Sequence, residues 1–218
     1  MGNLYIPLPK VGPRVVNDGG QDVLRLDKTG ALVVTGAHGY NQESVLRGQV
    51  YTASVKSATV TVTTDISPLP ATTGRALLAI YNPPNSGKNL VVLKAGVSTV
   101  SGTPGGPFYL DVVPPGATIA LTNVTANQPV NNMTFTPGGG VAKVFAAAVP
   151  VNSVVATMLR PLGGPAAVAA GAGPYQVDEL IDGAIIVPQG GMLVISAHAV
   201  GTTHVVSGYI TFEEVVAN

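Results

Sequence analysis

Residues 49–63, QVYTASVKSATVTVT, largely alternate polar with apolar side chains, a period of two that suits a strand and not a helix. Shorter runs rich in Val, Thr, Ile and Ala recur along the chain, set apart by clusters of Gly, Pro and Asn that make turns. The pattern predicts strands over Ala31–Thr35, Gln49–Thr64, Ala76–Tyr81, Leu90–Val97, Phe108–Val113, Thr118–Val124, Val141–Val149, Val154–Leu159, Ala184–Val187, Met192–Val200 and Val205–Phe212. Turns are expected at Asn82–Gly87, Thr103–Pro107, Pro114–Gly116, Pro137–Gly140 and Pro188–Gly191. Helix is confined to a turn or two at Asn41–Arg47 and within the Ala-rich stretch Pro165–Ala170. The fold class is therefore all-β.

The chain is not uniform along its length. Pro7, Pro9, Gly12, Pro13, Gly19 and Gly20 break any regular element in residues 1–30, yet Leu4, Tyr5, Ile6, Leu8 and Val11 keep the segment apolar. A free linker is more polar than this, so the expectation is an extended N-terminal arm lying on a partner. Residues 31–65 follow as a small β segment. Residues 66–218 supply about nine short strands, close to the eight of a jelly-roll β-sandwich. No spacing of turn signals repeats, which argues against a solenoid.

Charged residues make up only 10% of the 218, against about 25% in ordinary soluble proteins. A chain with so little charge to keep it in solution is expected to bury much of its outside against other subunits. No window approaches the eighteen or more apolar residues of a spanning helix, so no membrane is expected. The opening MGNLYIPLPKVGPR lacks the layout of a secretory signal, and Ile6 stands where a myristoylation motif needs Ser or Thr. Synthesis in a cytoplasm is expected. There is no Cys, hence no disulfide, thiolate nucleophile or Cys-based zinc site. Residues 1–100 hold nine basic and five acidic groups and residues 101–218 two and six. That polarity is too dilute to track phosphates, and with seven Tyr and four Phe there is little to stack on bases, so direct binding of nucleic acid is not expected.

Catalytic constellations are scarce. His198 and His204 stand six apart on consecutive strands and with one carboxylate could hold a transition metal, as in a jelly-roll enzyme of the cupin kind. A pair of surface or interface histidines is the simpler reading, and His38, between Gly36-Ala37 and Gly39-Tyr40, reads as a turn residue. Asp178, Glu179 and Asp182 are the densest acidic cluster, but the spacing is not that of a calcium loop. A solvated loop, or a salt bridge to a neighbouring subunit, explains it. Without Trp there is little to stack on a sugar ring for carbohydrate cleavage. Asn85-Ser86-Gly87-Lys88 lacks the spaced Gly and the following helix of a phosphate loop and reads as a hairpin turn. No Gly-x-Ser-x-Gly elbow occurs, and the acceptor sequences at Asn123 and Asn132 carry no weight without a signal peptide. No enzyme, cofactor or metal is expected.

Three segments carry a resemblance. RALLAIYNPPNSGKNLVVLKAGVSTVSGTPG (75–105) and LRLDKTGALVVTGAHGYNQESVLRGQVYTAS (24–54) resemble stretches of tailed-bacteriophage virion proteins. IIVPQGGMLVISAHAVGTTHVVSGYITFEEV (185–215) is similar to the last three strands of a trimeric jelly roll of the tumour-necrosis-factor-like type, with Phe212 where an aromatic such as Trp precedes the final acidic pair. The resemblance implies a capsid decoration or cement protein, a homotrimer on the exterior of the virion that binds the major capsid protein and is made in the bacterial host cytoplasm. Leu4, Ile6, Leu8, Lys10, Val11, Arg14, Arg25 and Arg47 are then the capsid-interface candidates. A tail, baseplate or head-fibre component, or a receptor- or glycan-binding jelly-roll module, are the alternatives.

Overall fold

The computed structural model describes residues 41–60, 76–102, 107–116, 128–146, 156–164, 175–197 and 204–217. The chain divides into two compact units at Gln42/Glu43, and the account below concerns the second, together with the short helix at its start. The elements are α1 (Gln42–Leu46), β1 (Val50–Val60), β2 (Ala76–Tyr81), β3 (Lys88–Gly102), β4 (Phe108–Val113), β5 (Val130–Asn131), β6 (Lys143–Ala146), β7 (Thr157–Gly163), β8 (Gln176–Val187), β9 (Met192–Ala197) and β10 (His204–Val216). The expected strands at 31–35 and 118–124 and the Ala-rich stretch at 165–170 lie outside the described residues.

Two five-stranded antiparallel sheets, ordered β5-β1-β10-β3-β8 and β6-β2-β9-β4-β7, make an all-β sandwich. Four of the pairings are nested: β1 with β10, β2 with β9, β3 with β8 and β4 with β7. The chain thus runs as one long hairpin folded over itself, its two arms crossing between the sheets together. Between β4 and β7 it makes an excursion to the opposite side of the sandwich, where β5 adds to β1 and β6 adds to β2.

The alternation in the sequence is what places the core. Tyr51, Ala53 and Val55 of β1, Val206, Ile210 and Phe212 of β10, and Val92, Ala95 and Val97 of β3 point inward. They meet Leu78, Ile80, Phe108, Leu110, Leu193 and Ile195 of the other sheet, and Tyr51 stacks on Phe212 with ring centroids 6.0 Å apart. Each fully buried Leu, Ile or Phe stabilises the fold by about 1.5–3 kcal/mol. β2 (ALLAIY) and β9 (MLVISA) instead read as continuous apolar runs, and their second face is buried too, through Ala79, Tyr81, Met192 and Val194.

The strand from 50 to 60, which the sequence reading places in a small β segment of its own, lies between β5 and β10 and belongs to the sandwich. β8 begins at Gln176, well before the expected Ala184, because on this strand the charged side chains of an apparent loop alternate with residues that point inward. The Asn85–Lys88 turn is not a hairpin: β2 and β3, on either side of it, belong to different sheets.

That turn and its counterpart between β8 and β9 lie side by side, and buried Asn82 joins them. Its amide nitrogen donates to Lys88 O at 2.8 Å and Val187 O at 3.1 Å, and its Oδ1 accepts from Ser86 Oγ at 2.7 Å. Its backbone N–H donates to Gly191 O at 3.0 Å and its carbonyl accepts from Gly190 N at 2.7 Å. On the central strand β10, Glu214, also buried, accepts from Val141 N at 2.6 Å and Ala142 N at 3.1 Å, and pairs with Lys88 Nζ at 2.9 Å. It fastens the returning excursion to β10. Asn82→Ala removes both donors, leaving Val187 O without its amide partner and Lys88 O with the Ser86 hydroxyl at 3.1 Å, and a cost of about 2–4 kcal/mol is expected. Calorimetry should show the melting temperature falling by roughly 5–15 °C; an unchanged value would mean that the joint carries no stability.

Candidate functional site: an open sheet face and an uncovered edge

The sheet formed by β5, β1, β10, β3 and β8 turns a polar face outward, with Thr52, Ser54 and Lys56 from β1, Ser207, Tyr209 and Thr211 from β10, Lys94 and Ser98 from β3, and Asp178 from β8. Register brings Tyr209, Gly96 and Asp178 into line across three neighbouring strands. Gly96 is required there, because a Cβ on it would stand 2.5 Å from the Tyr209 ring and 2.3 Å from Asp178 Oδ1. Over the bare backbone the Tyr209 hydroxyl reaches across β3 and donates to Asp178 Oδ1 at 2.5 Å. Lys94 Nζ lies 3.5 Å from Asp178 Oδ2 and 5.5 Å from the centre of the Tyr209 ring.

The three groups hold one another in their ordinary charge states. The hydrogen bond from Tyr209 depresses the Asp178 carboxyl, with Lys94 adding to it, while Tyr209 is raised by partial burial and by its bond to Asp178. Lys94 is raised through its interaction with Tyr209 and then Asp178. Through the hydrogen bond and the ion pair the cluster links β10, β3 and β8 across the outer face of the sheet. Beside it β1 carries extra chain opposite Ser207, and β3 carries an extra residue, Val100, one step further along β10. These bulges help to open a groove of ≈ 370 Å³ whose lining includes Ser54, Lys56, Ser98, Gln176, Ser207 and Tyr209.

The two sides of the sandwich differ. On one, short strands β5 and β6 complete the sheets. On the other, β7 and the 12-residue β8 end their sheets with nothing paired beyond them among the described residues. Leu180 (71% exposed) and Ile186 (55%) on β8, with Met158 and Leu159 on β7, leave apolar side chains in water along this edge. Strand addition is nevertheless discouraged. Pro161 interrupts the hydrogen-bonding row of β7, and a bulge at Asp182 (φ 54°) and Gly183 (φ 80°) distorts β8. Arg160 of β7 and Glu179 of β8 form an ion pair at 2.8 Å between the two sheets.

Among the residues singled out in the sequence, Leu4, Ile6, Leu8, Lys10, Val11, Arg14, Arg25, His38 and His198 lie outside the described residues. Arg47, just past α1, is exposed and pairs with Glu43 at 2.6 Å. His204 opens β10, its backbone between Val60 and Gly102. Asp178, Glu179 and Asp182 do not converge: the first faces out, the second faces Arg160 and the third sits on the bulge. Asp178 and Glu179 have cationic partners in the same chain, where the sequence reading allowed for a neighbouring subunit. Among the described residues no group of three or more His, Cys, Asp and Glu is placed to hold a metal, and no helix is long and apolar enough to cross a membrane. The buried carboxylates Asp111 and Glu214 are engaged, the former accepting from Ser196 Oγ. Sequence reasoning missed Tyr209, Gly96 and Lys94, whose alignment depends on strand register.

Fold and surface together define a β-sandwich of two antiparallel five-stranded sheets, one of which turns a polar face outward. Neither the protein-family models nor the curated proteins include a match to this chain.

Because the folded Asp178 pKa is lowered, its contribution to stability is complete above the unfolded value of about 4 and is lost as pH falls through the folded one. In urea titrations the midpoint gap between the native chain and Asp178→Asn should stay constant at neutral pH and narrow below about pH 4. A gap that widens in acid contradicts this assignment.

Proposed function

We propose that this chain is a structural virion protein that decorates and cements a phage capsid, binding the major capsid protein as a trimer. Three segment resemblances and the scarcity of charge support that reading. The observation that carries it is the β7–β8 edge, beyond which no strand pairs among the described residues, and which exposes Leu180, Ile186, Met158 and Leu159 on two strands guarded against sheet extension. Apolar side chains without strand addition suit a contact that closes on itself after a few copies, as cyclic oligomers do. The same reading takes the sandwich to be a jelly roll, supported by the nested pairing of β1–β4 with β7–β10. The apolar strand faces themselves are spent inside the chain, so the contact is assigned to the edge.

In this account the residues from Leu4 to Val11 and the cations Lys10, Arg14, Arg25 and Arg47 face the capsid. The mechanism is mechanical: a ligand that binds only the assembled shell stabilises that shell by its binding free energy. Sedimentation equilibrium should give a trimer for the native chain and a folded monomer for the double variant Leu180→Glu, Ile186→Glu. A native chain that sediments as a monomer at micromolar concentration overturns the reading.

The groove beside Tyr209 favours a second reading, a receptor- or glycan-binding module, because a mostly apolar lining with an aromatic wall, hydroxyls, an amide and a cation suits a saccharide. It requires saturable binding on a glycan array that Tyr209→Ala abolishes. An array without hits counts against it.

A further inference from the structure

The groove beside Tyr209 is bounded by backbone and by one rigid ring. Gly96 and Gly208 contribute only backbone to its lining, and Tyr209 forms a wall. On the outer face of β10, Tyr209 stands between Ser207, paired with Ser98 of β3, and Thr211, paired with Lys94. Ser98 and Ser207 line the groove and Lys94 does not, so the ring stands between that ammonium and the serines. Lys94 Nζ lies 5.5 Å from the ring centre, and the hydroxyl is held on Asp178 Oδ1. An aromatic group held in this way loses little freedom when a ligand lies on it.

Charge in the groove is unbalanced. The Asp178 carboxylate takes the Tyr209 hydroxyl, Lys94 Nζ at 3.5 Å and the Gln176 amide nitrogen at 3.2 Å, and it does not line the groove. Lys56 of β1 does. It is the one charged side chain among the described residues of the lining, exposed and without an ion pair. Ser54, two residues before it, is exposed on the same face of β1, and Ser207 donates to Ser98 Oγ at 3.4 Å. A lone cation beside hydroxyls in a mostly apolar groove suits one carboxylate on a ring, whereas a chain of phosphates needs clustered cations.

We propose that this groove binds a saccharide that carries a carboxylate, with the sugar ring against Tyr209 and the carboxylate on Lys56. The proposal rests on the glycan-binding reading above and names its ligand class. The apolar face of a pyranose packs on an aromatic ring, and its hydroxyls exchange hydrogen bonds with the serines. A hydrogen bond between two ionised groups is roughly twice as strong as a neutral one, so the Lys56 contact sets the preference.

The test titrates the full chain with methyl glucuronide, a methyl sialoside and, as the neutral counterpart, methyl glucoside, following the NMR shifts of the backbone amides. At least one acidic sugar should bind saturably and about tenfold or more tightly than the glucoside, moving the amides of Gly96 and Gly208. Lys56→Gln, a change on the exposed face, should melt as the native chain does and bind that acidic sugar no better than the glucoside. Lys56→Arg should keep the preference, and added salt should weaken it. Equal affinity of the native chain for acidic and neutral sugars overturns the acidic ligand and leaves the glycan reading standing. A preference that survives Lys56→Gln overturns the site. If neither acidic sugar binds, the proposal falls; if no glycan on the array binds either, the glycan reading falls with it.

Discussion

The chain crosses from one sheet to the other twice at the same end of the sandwich, and everything else depends on those crossings staying together. Asn82 holds them. A single buried amide satisfies Lys88 O at the start of β3 and Val187 O at the end of β8, while its backbone bonds to Gly190 and Gly191 in the other turn. Without it Val187 O loses its amide partner and Lys88 O keeps the Ser86 hydroxyl, and a buried carbonyl left unpaired costs about 1–3 kcal/mol. With the crossings fixed, β3 meets β8 and β2 meets β9, and the inward-facing side chains of β1, β3 and β10 reach the core.

From this follows an asymmetry that bears on function. The excursion after β4 closes one side of the sandwich with β5 and β6, fastened through Glu214, and leaves the other side ending in β7 and β8. Pro161, the Asp182–Gly183 bulge and nearby charges oppose open-ended growth of the sheets, yet Leu180 and Ile186 remain in water. An edge built this way suits side-chain contact with a finite number of neighbours. The proposed trimer uses it.

Much of the fold was legible from local pattern. β2 and β4 match the runs ALLAIY and FYLDVV residue for residue, because a buried strand between turn residues has few other readings. The start of β8 was hidden because Gln176, Asp178 and Glu179 look like loop residues: Gln176 and Asp178 alternate outward with inward Val177 and Ile181, and Glu179 on the inward side is paired with Arg160. β5, two residues long, has no period to detect. The Tyr209–Gly96–Asp178 alignment lies beyond sequence pattern, since it joins positions more than 30 and 80 residues apart through strand register.

Electron cryo-microscopy of the particle that carries this chain tests the central claim most directly. The account predicts trimers on the outer surface of the shell, with the β7–β8 edge of each copy against its neighbour and the Leu4–Val11 segment against the capsid protein. Isolated copies with that edge in solvent, or a shell surface without the chain, would contradict it.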